Sequence, residues 1–166
     1  MDESLKNDIE TNILPLYDDF DATHQRGHVE KVIEQSLTIA TDHDVDMNMV
    51  YVIAAYHDTG LTEGRKTHHL VSGRIVREDM WLRDWFSGGQ IETMAQACED
   101  HRASSDHDPR SIYGKINVAR LNTLREIIKN ESLLRQKFDY LYDTLTNPHL
   151  IGCPCPQCQP PKYRKI

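Results

Sequence analysis

The sequence predicts an all-α domain, and three observations carry that prediction. No window of the 166-residue chain alternates apolar and polar side chains with the period of two that a half-buried strand requires. Apolar residues recur instead at i, i+3, i+4 and i+7 in one segment after another. Capping residues and glycines stand where those segments begin and stop.

Leu5, Ile9, Ile13 and Leu16 share one face of a first helix, which Pro15 kinks or ends. After a link from Phe20 to Gly27, residues Val29, Val32, Ile33, Leu37 and Ala40 mark a second helix beginning at or just before His28. Thr41 to Asp46 is a polar loop. Asp46 then stands as the N-cap of a third helix, Met47 to about Asp58, whose run Val50 to Tyr56 is apolar on every side and therefore buried. Gly60 is expected to take the left-handed conformation that terminates it. Gly60 to Thr67 reads as a polar loop, and a fourth helix runs from about His68 to Met80, continuing after a bend through Trp81 to Phe86. Ser87 and Gln90 form a capping-box pattern, opening a helix through Ile91, Met94, Ala95 and Cys98 to His101. Arg102 to Pro109 is a loop. From Val118, the apolar positions Leu121 to Leu145 give two further helices split near Asn130. Residues 1–146 thus form a helical domain, and 147–166 an irregular tail rich in proline and cysteine.

Composition narrows the function classes. A hydrophobic fraction of 39 % belongs to a globular protein. The charge of −7, with no basic stripe, argues against a nucleic-acid surface. No apolar run has the length of a membrane span, and Met1 to Lys6 contains no apolar leader, so a cytoplasmic location is expected. Cys98 reads as a small buried hydrophobe. Cys153, Cys155 and Cys158, with His149, supply a set of four zinc-type ligands, although exposed thiols on an irregular tail are the favoured reading. Trp81 and Trp85, four apart, belong to the core or to a partner-facing ridge.

The chemistry lies in the nine histidines. His28 opens a helix, His57 and Asp58 close one, His68 opens another and His101 closes another. Such positions can face one cleft of a helical bundle, where metal sites are built from facing helices. Imidazole with carboxylate suits a divalent metal (Mn, Fe, Ni, Zn or Mg), and an aspartate can bridge two ions that clamp a phosphoryl group. Asp58, His68 and His101 are then the candidate catalytic groups, and His28, His57, Asp58, His68 and His101 the candidate ligands. Arg65, Lys66 and Arg102 adjoin them and are candidate phosphate contacts, with solvated loop charge as the alternative for Arg65 and Lys66. On its own, His57–Asp58 reads as a core histidine capped by a carboxylate, since the dipeptide also occurs at His43 and His107. His24 precedes the second helix and is expected to hydrogen-bond locally, while His43 and His107 lie in polar loops.

The order of these blocks resembles the HD-domain superfamily of metal-dependent phosphohydrolases, in its bacterial HD hydrolase branch. The resemblance rests on His28, Val29, Lys31 and Val32; on Tyr56-His57-Asp58-Thr59-Gly60-Leu61; on His68-His69-Leu70-Val71-Ser72-Gly73; and on Glu99-Asp100-His101-Arg102. It spans about Tyr17 to Ile116. It implies an all-α fold, divalent metal and hydrolysis of a small phosphate ester or anhydride, often in a nucleotide. It also implies that His28, His57 and Asp58 ligate one ion, and that His68 and His101 hold a second ion bridged by Asp58 or bind phosphate directly. The family's last ligand is an aspartate soon after a block like Ile112-Tyr113-Gly114-Lys115-Ile116. Here the stretch reads Asn117-Val118-Ala119-Arg120, with alanine in the aspartate's place; Asn117, Asp106 and Asp108 are the nearby oxygen donors. A second reading follows from that departure: an HD-like domain without catalysis, serving as a binding or regulatory module.

Overall fold

A computed structural model describes residues 1–21, 23–101, 108–120 and 133–136. The chain divides into two compact units, Met1–Leu124 and Arg125–Ile166. Of the second, residues 133–136 are helical and exposed. The rest of the expected closing helices, the boundary near residue 146, and the tail with His149, Cys153, Cys155 and Cys158 lie outside the described residues. Everything that follows concerns the first unit.

Its described residues contain helices and no strand. The order is α1 (Glu3–Asn12), a 3₁₀ helix (Leu14–Asp19), α2 (Arg26–Ala40), α3 (Met47–Tyr56), a second 3₁₀ helix (Thr59–Glu63), α4 (His68–Glu78), a third 3₁₀ helix (Trp81–Asp84) and α5 (Gly88–Glu99). Residues 112–120 are also helical, so this stretch begins before Val118, where the apolar spacing alone would start it.

The middle of the unit is α3. Asp46 caps it as expected, its carboxylate accepting from the Asn48 amide at 2.8 Å. From Met49 to Tyr56 every side chain is buried. A helix without a polar face must be surrounded, and α1, α2 and α5 pack around this one. Each buried Val or Ile there contributes roughly 1.5–3 kcal/mol relative to exposure. α4 lies against α5, where Gly73 allows a close crossing: a Cβ on it would stand 2.9 Å from the Ala95 carbonyl oxygen. Arg77 of α4 pairs with Glu92 and Glu99 of α5 along the same seam. The Ser87 capping box closes in both directions.

Three expectations are corrected. Pro15 ends α1 and opens a 3₁₀ helix, whose three residues per turn send Leu14 and Tyr17 into the core. Leu16 is left 39 % exposed instead of joining the Leu5–Ile9 face. The polar loop after α3 is in part a 3₁₀ helix, because α3 stops at Tyr56 and the chain tightens. The positive-φ residue that turns the chain is Gly64, at 114°, and not Gly60. Gly60 is required for a different reason: a Cβ there would lie 2.0 Å from the His68 carbonyl oxygen. The missing side chain lets α4 begin directly against the end of α3, and the Ser72 hydroxyl accepts from the Gly60 amide at 2.9 Å. Trp81 and Trp85 pack against the core with ring centroids 5.8 Å apart, and Cys98 is fully buried.

Two substitutions test this account by urea unfolding. Gly60→Ala must push two backbone segments apart and is expected to cost more than the roughly 1–3 kcal/mol of ordinary overpacking; an unchanged midpoint would show that α4 does not sit as described. Tyr17 is buried, donates its hydroxyl to the Ala55 carbonyl at 2.8 Å and accepts from the Asp58 amide at 3.3 Å. Tyr17→Phe leaves both unpaired, at an expected cost of about 1–3 kcal/mol.

Candidate metal centre

Four helix ends meet around one carboxylate. His28 lies in the first turn of α2, His57 and Asp58 just past α3, His68 at the first position of α4 and His101 just past α5. Asp58 Oδ2 is 2.9 Å from His57 Nε2 and 3.7 Å from His28 Nε2. Its other oxygen, Oδ1, is 3.3 Å from His101 Nε2 and 3.4 Å from His68 Nε2. The ligand atoms fall into two sets that share Asp58: His28, His57 and Asp58, then Asp58, His68 and His101.

The tautomers follow from the other ring nitrogen. Nδ1 of His57, His68 and His101 lies 2.7, 2.7 and 2.6 Å from the carbonyl oxygens of Ala54, Arg65 and Cys98. A carbonyl only accepts, so Nδ1 carries the proton, and in the neutral ring Nε2 presents a lone pair. These lone pairs converge on an ionised carboxylate and on each other, His68 Nε2 lying 3.1 Å from His101 Nε2. His57 Nε2 is buried and has no hydrogen-bond partner. Acceptors facing acceptors at such distances repel unless a proton or a metal cation lies between them. Two ligands each about 2.1 Å from one ion at a tetrahedral angle stand about 3.4 Å apart, inside the 2.9–3.7 Å range found here. The donor set therefore fits a divalent metal, and each triad of two imidazoles and one carboxylate oxygen leaves positions open for water or substrate.

Burial sets the protonation. Desolvation pushes the His57 imidazole down to about 3 and lowers His28 as well. Burial alone would raise the Asp58 carboxyl; His57 and His101 outweigh it and hold the group well below the usual carboxylate range. At neutral pH Asp58 is thus ionised while His28 and His57 are neutral, the state in which such groups bind metal.

Other expected residues fall elsewhere. Arg65 turns outward, 3.5 Å from Asp21 and 3.4 Å from Thr23, with its side chain 67 % exposed; its backbone carbonyl is what orients His68. Lys66 is exposed. Arg102, Asp106 and His107 lie outside the described residues. His24 bonds locally to Asp21 at 2.9 Å, as its position suggested, and is in neither triad. Asn117 is not poised as a ligand, because its amide donates to the Ala97 carbonyl at 2.8 Å and accepts from Arg120 Nε at 2.7 Å. Asp108 is exposed.

Three supporting residues escaped the sequence reading. Tyr17 fastens the turn that carries Asp58. Asp100, whose side chain is fully buried, accepts from Arg110 through both its backbone amide and its guanidinium, at 2.8 and 2.9 Å. That clip pins residues 108–111 beside His101. Arg120 is fully buried as well. No protein-family model, curated protein or solved structure matches the chain.

The protonation states make stability pH-dependent. Between about pH 6.5 and 3 the unfolded chain binds a proton at His57 that the folded chain refuses. Stability is therefore full above that window and is lost as pH falls through it, and Asp58 acts in the same sense below its unfolded value of 3.8. In chelator-treated protein the urea midpoint is expected to drop steadily from pH 7 to pH 4, with a shallower slope in His57→Gln. A flat wild-type profile would mean that His57 is not held neutral.

Proposed function

We propose that the protein is a divalent-metal-dependent phosphohydrolase of the HD-domain kind, acting on a small phosphate ester or anhydride, with nucleotides the first class to test. One observation supports this most: four imidazoles converge on both oxygens of a single buried carboxylate, three of them locked by Nδ1 bonds to backbone carbonyls. Locking of that kind fixes the tautomer and raises the basicity of the nitrogen that would ligate. In this reading His28, His57 and Asp58 Oδ2 hold one ion, and His68, His101 and Asp58 Oδ1 a second. When bound, such ions polarise a phosphoryl oxygen and bring a coordinated water's pKa near neutrality.

The chain's own part is preorganisation. His57 and His101, with side chains 1 and 7 % exposed, form the closed wall, while His68 and His28, at 16 and 29 %, border the side that water can reach. Substrate enters from that side. Arg65 and Lys66 then meet its phosphate at the loop carrying His68, with Arg65 exchanging Asp21 for a phosphate oxygen, and Arg102, which follows His101 in the sequence, is the further candidate to neutralise charge.

The alternative, a binding or regulatory module without catalysis, draws its support from the stretch Asn117–Arg120, where the resemblance expects an aspartate. Ala119 offers no ligand atom there, and the Asn117 amide is already committed. Metal content by mass spectrometry and hydrolysis of a generic aryl phosphate and of nucleotides with added Mn²⁺ separate the two. The enzyme reading expects metal bound per chain and metal-stimulated turnover, both lost in Asp58→Asn with the fold retained by circular dichroism. Turnover that survives Asp58→Asn would refute it. Bound metal without turnover on any phosphate compound would favour the module.

A further inference from the structure

Arg120 is the largest fully buried side chain among the described residues. Its helical stretch, residues 112–120, turns Tyr113, Ile116, Asn117 and Arg120 inward at i, i+3, i+4 and i+7. A guanidinium on an apolar face is expensive to bury unless something answers its charge. Nε is answered by Asn117, which the Ala97 carbonyl of α5 holds in turn. Nη1 and Nη2 are buried and have no hydrogen-bond partner among the described residues. The groups within electrostatic reach of the guanidinium are Asp58, Tyr17 and Cys98. Burial keeps the Tyr17 hydroxyl and the Cys98 thiol protonated at neutral pH, so Asp58 is the one anion of the three. Arg120 itself stays charged, although burial lowers it to about 10, and its charge is felt at His28 and His57 also.

We propose that Arg120 is a built-in cation of the metal centre that makes a divalent ion and a phosphate-type oxyanion bind together. The proposal rests on the metal reading above and adds the charge class of what accompanies the metal. With Asp58 negative and Arg120 positive, these two charges cancel before anything binds. A divalent ion entering alone is repelled by Arg120 and leaves the pocket with excess positive charge in a low-dielectric surround. An oxyanion that enters with it removes both penalties, and a guanidinium fork whose Nη1 and Nη2 lack partners among the described residues matches two oxygens of one tetrahedral anion. By linkage the effect is reciprocal: phosphate binds weakly without metal and gains the same factor when metal is present.

The test titrates Mn²⁺ into the full chain by calorimetry, with and without inorganic phosphate, in wild type, Arg120→Lys and Arg120→Met. Phosphate is expected to tighten Mn²⁺ on the order of 10–100-fold in wild type, within the usual range for coupled sites, and to do nearly as well in Arg120→Lys, which keeps the charge. Arg120→Met is expected to bind Mn²⁺ alone more tightly than wild type and to lose most of the phosphate effect. Equal Mn²⁺ affinity and equal coupling in wild type and Arg120→Met would overturn the role given to Arg120 while leaving the metal centre standing. Absence of Mn²⁺ binding from every variant, with or without phosphate, would instead remove the metal centre and this inference together. If Arg120→Met does not fold, the wild-type titration still decides, because tight Mn²⁺ binding indifferent to phosphate contradicts the proposal.

Discussion

The structure depends on one unfavourable placement, a carboxylate at the buried end of the central helix. Asp58 is 4 % exposed, and taking a carboxylate that far from water costs several kcal/mol unless it is compensated. The compensation is distributed over four elements. The end of α3 supplies His57, the starts of α2 and α4 supply His28 and His68, and the end of α5 supplies His101. Because each partner comes from a different helix, the carboxylate can be satisfied only when all four helix ends are in register. A polar cluster of this kind selects one packing arrangement from the many an apolar core would tolerate.

The geometry around Asp58 explains features that would otherwise look unrelated. Gly60 lacks a side chain because the His68 carbonyl presses against it, and that closeness brings the first residue of α4 to the carboxylate. Ser72, one turn further along α4, holds the Gly60 amide and fixes the same junction. Tyr17, from the 3₁₀ helix that Pro15 initiates, braces the turn from the opposite side. Arg110 and Asp100 secure the chain next to His101. The 3₁₀ pitch at Leu14–Asp19 is therefore functional in its consequence, since an α-helical pitch would bring Leu16 inward in place of Tyr17.

What could be read from the sequence was whatever depends on periodicity and capping. α3 was legible because Val50 to Tyr56 is apolar on every side and Asp46 precedes it; α5 was legible because Ser87 and Gln90 spell its cap. The histidines were legible as helix-end residues. Interactions between segments distant in sequence were not. The close approach at Gly60 depends on a residue eight positions later, so the local rule, glycine after a helix, gave the wrong cause for the right residue. Tyr17 had no role in the sequence reading beyond marking where the resemblance starts, because nothing local distinguishes a 3₁₀ turn from a kinked helix. Arg120 was overlooked beside Ala119, although Tyr113, Ile116 and Arg120 share a spacing that placed a charge on an inward face.

That overlooked charge alters how the stretch without that ligand is understood. An alanine where an acidic ligand is expected reads as a loss, leaving a divalent ion one donor and one negative charge short. The next residue buries a guanidinium whose charge is felt at Asp58, His28 and His57, so the change concerns charge as well as ligand number. A site with two carboxylates attracts a bare divalent cation; a site with one carboxylate and one guanidinium is balanced beforehand and discriminates against it. Two buried terminal nitrogens without partners among the described residues call for an explanation, and an anion that completes the fork is one. On the proposal made above, the departure at Ala119 changes what accompanies the metal, not only how many ligands hold it.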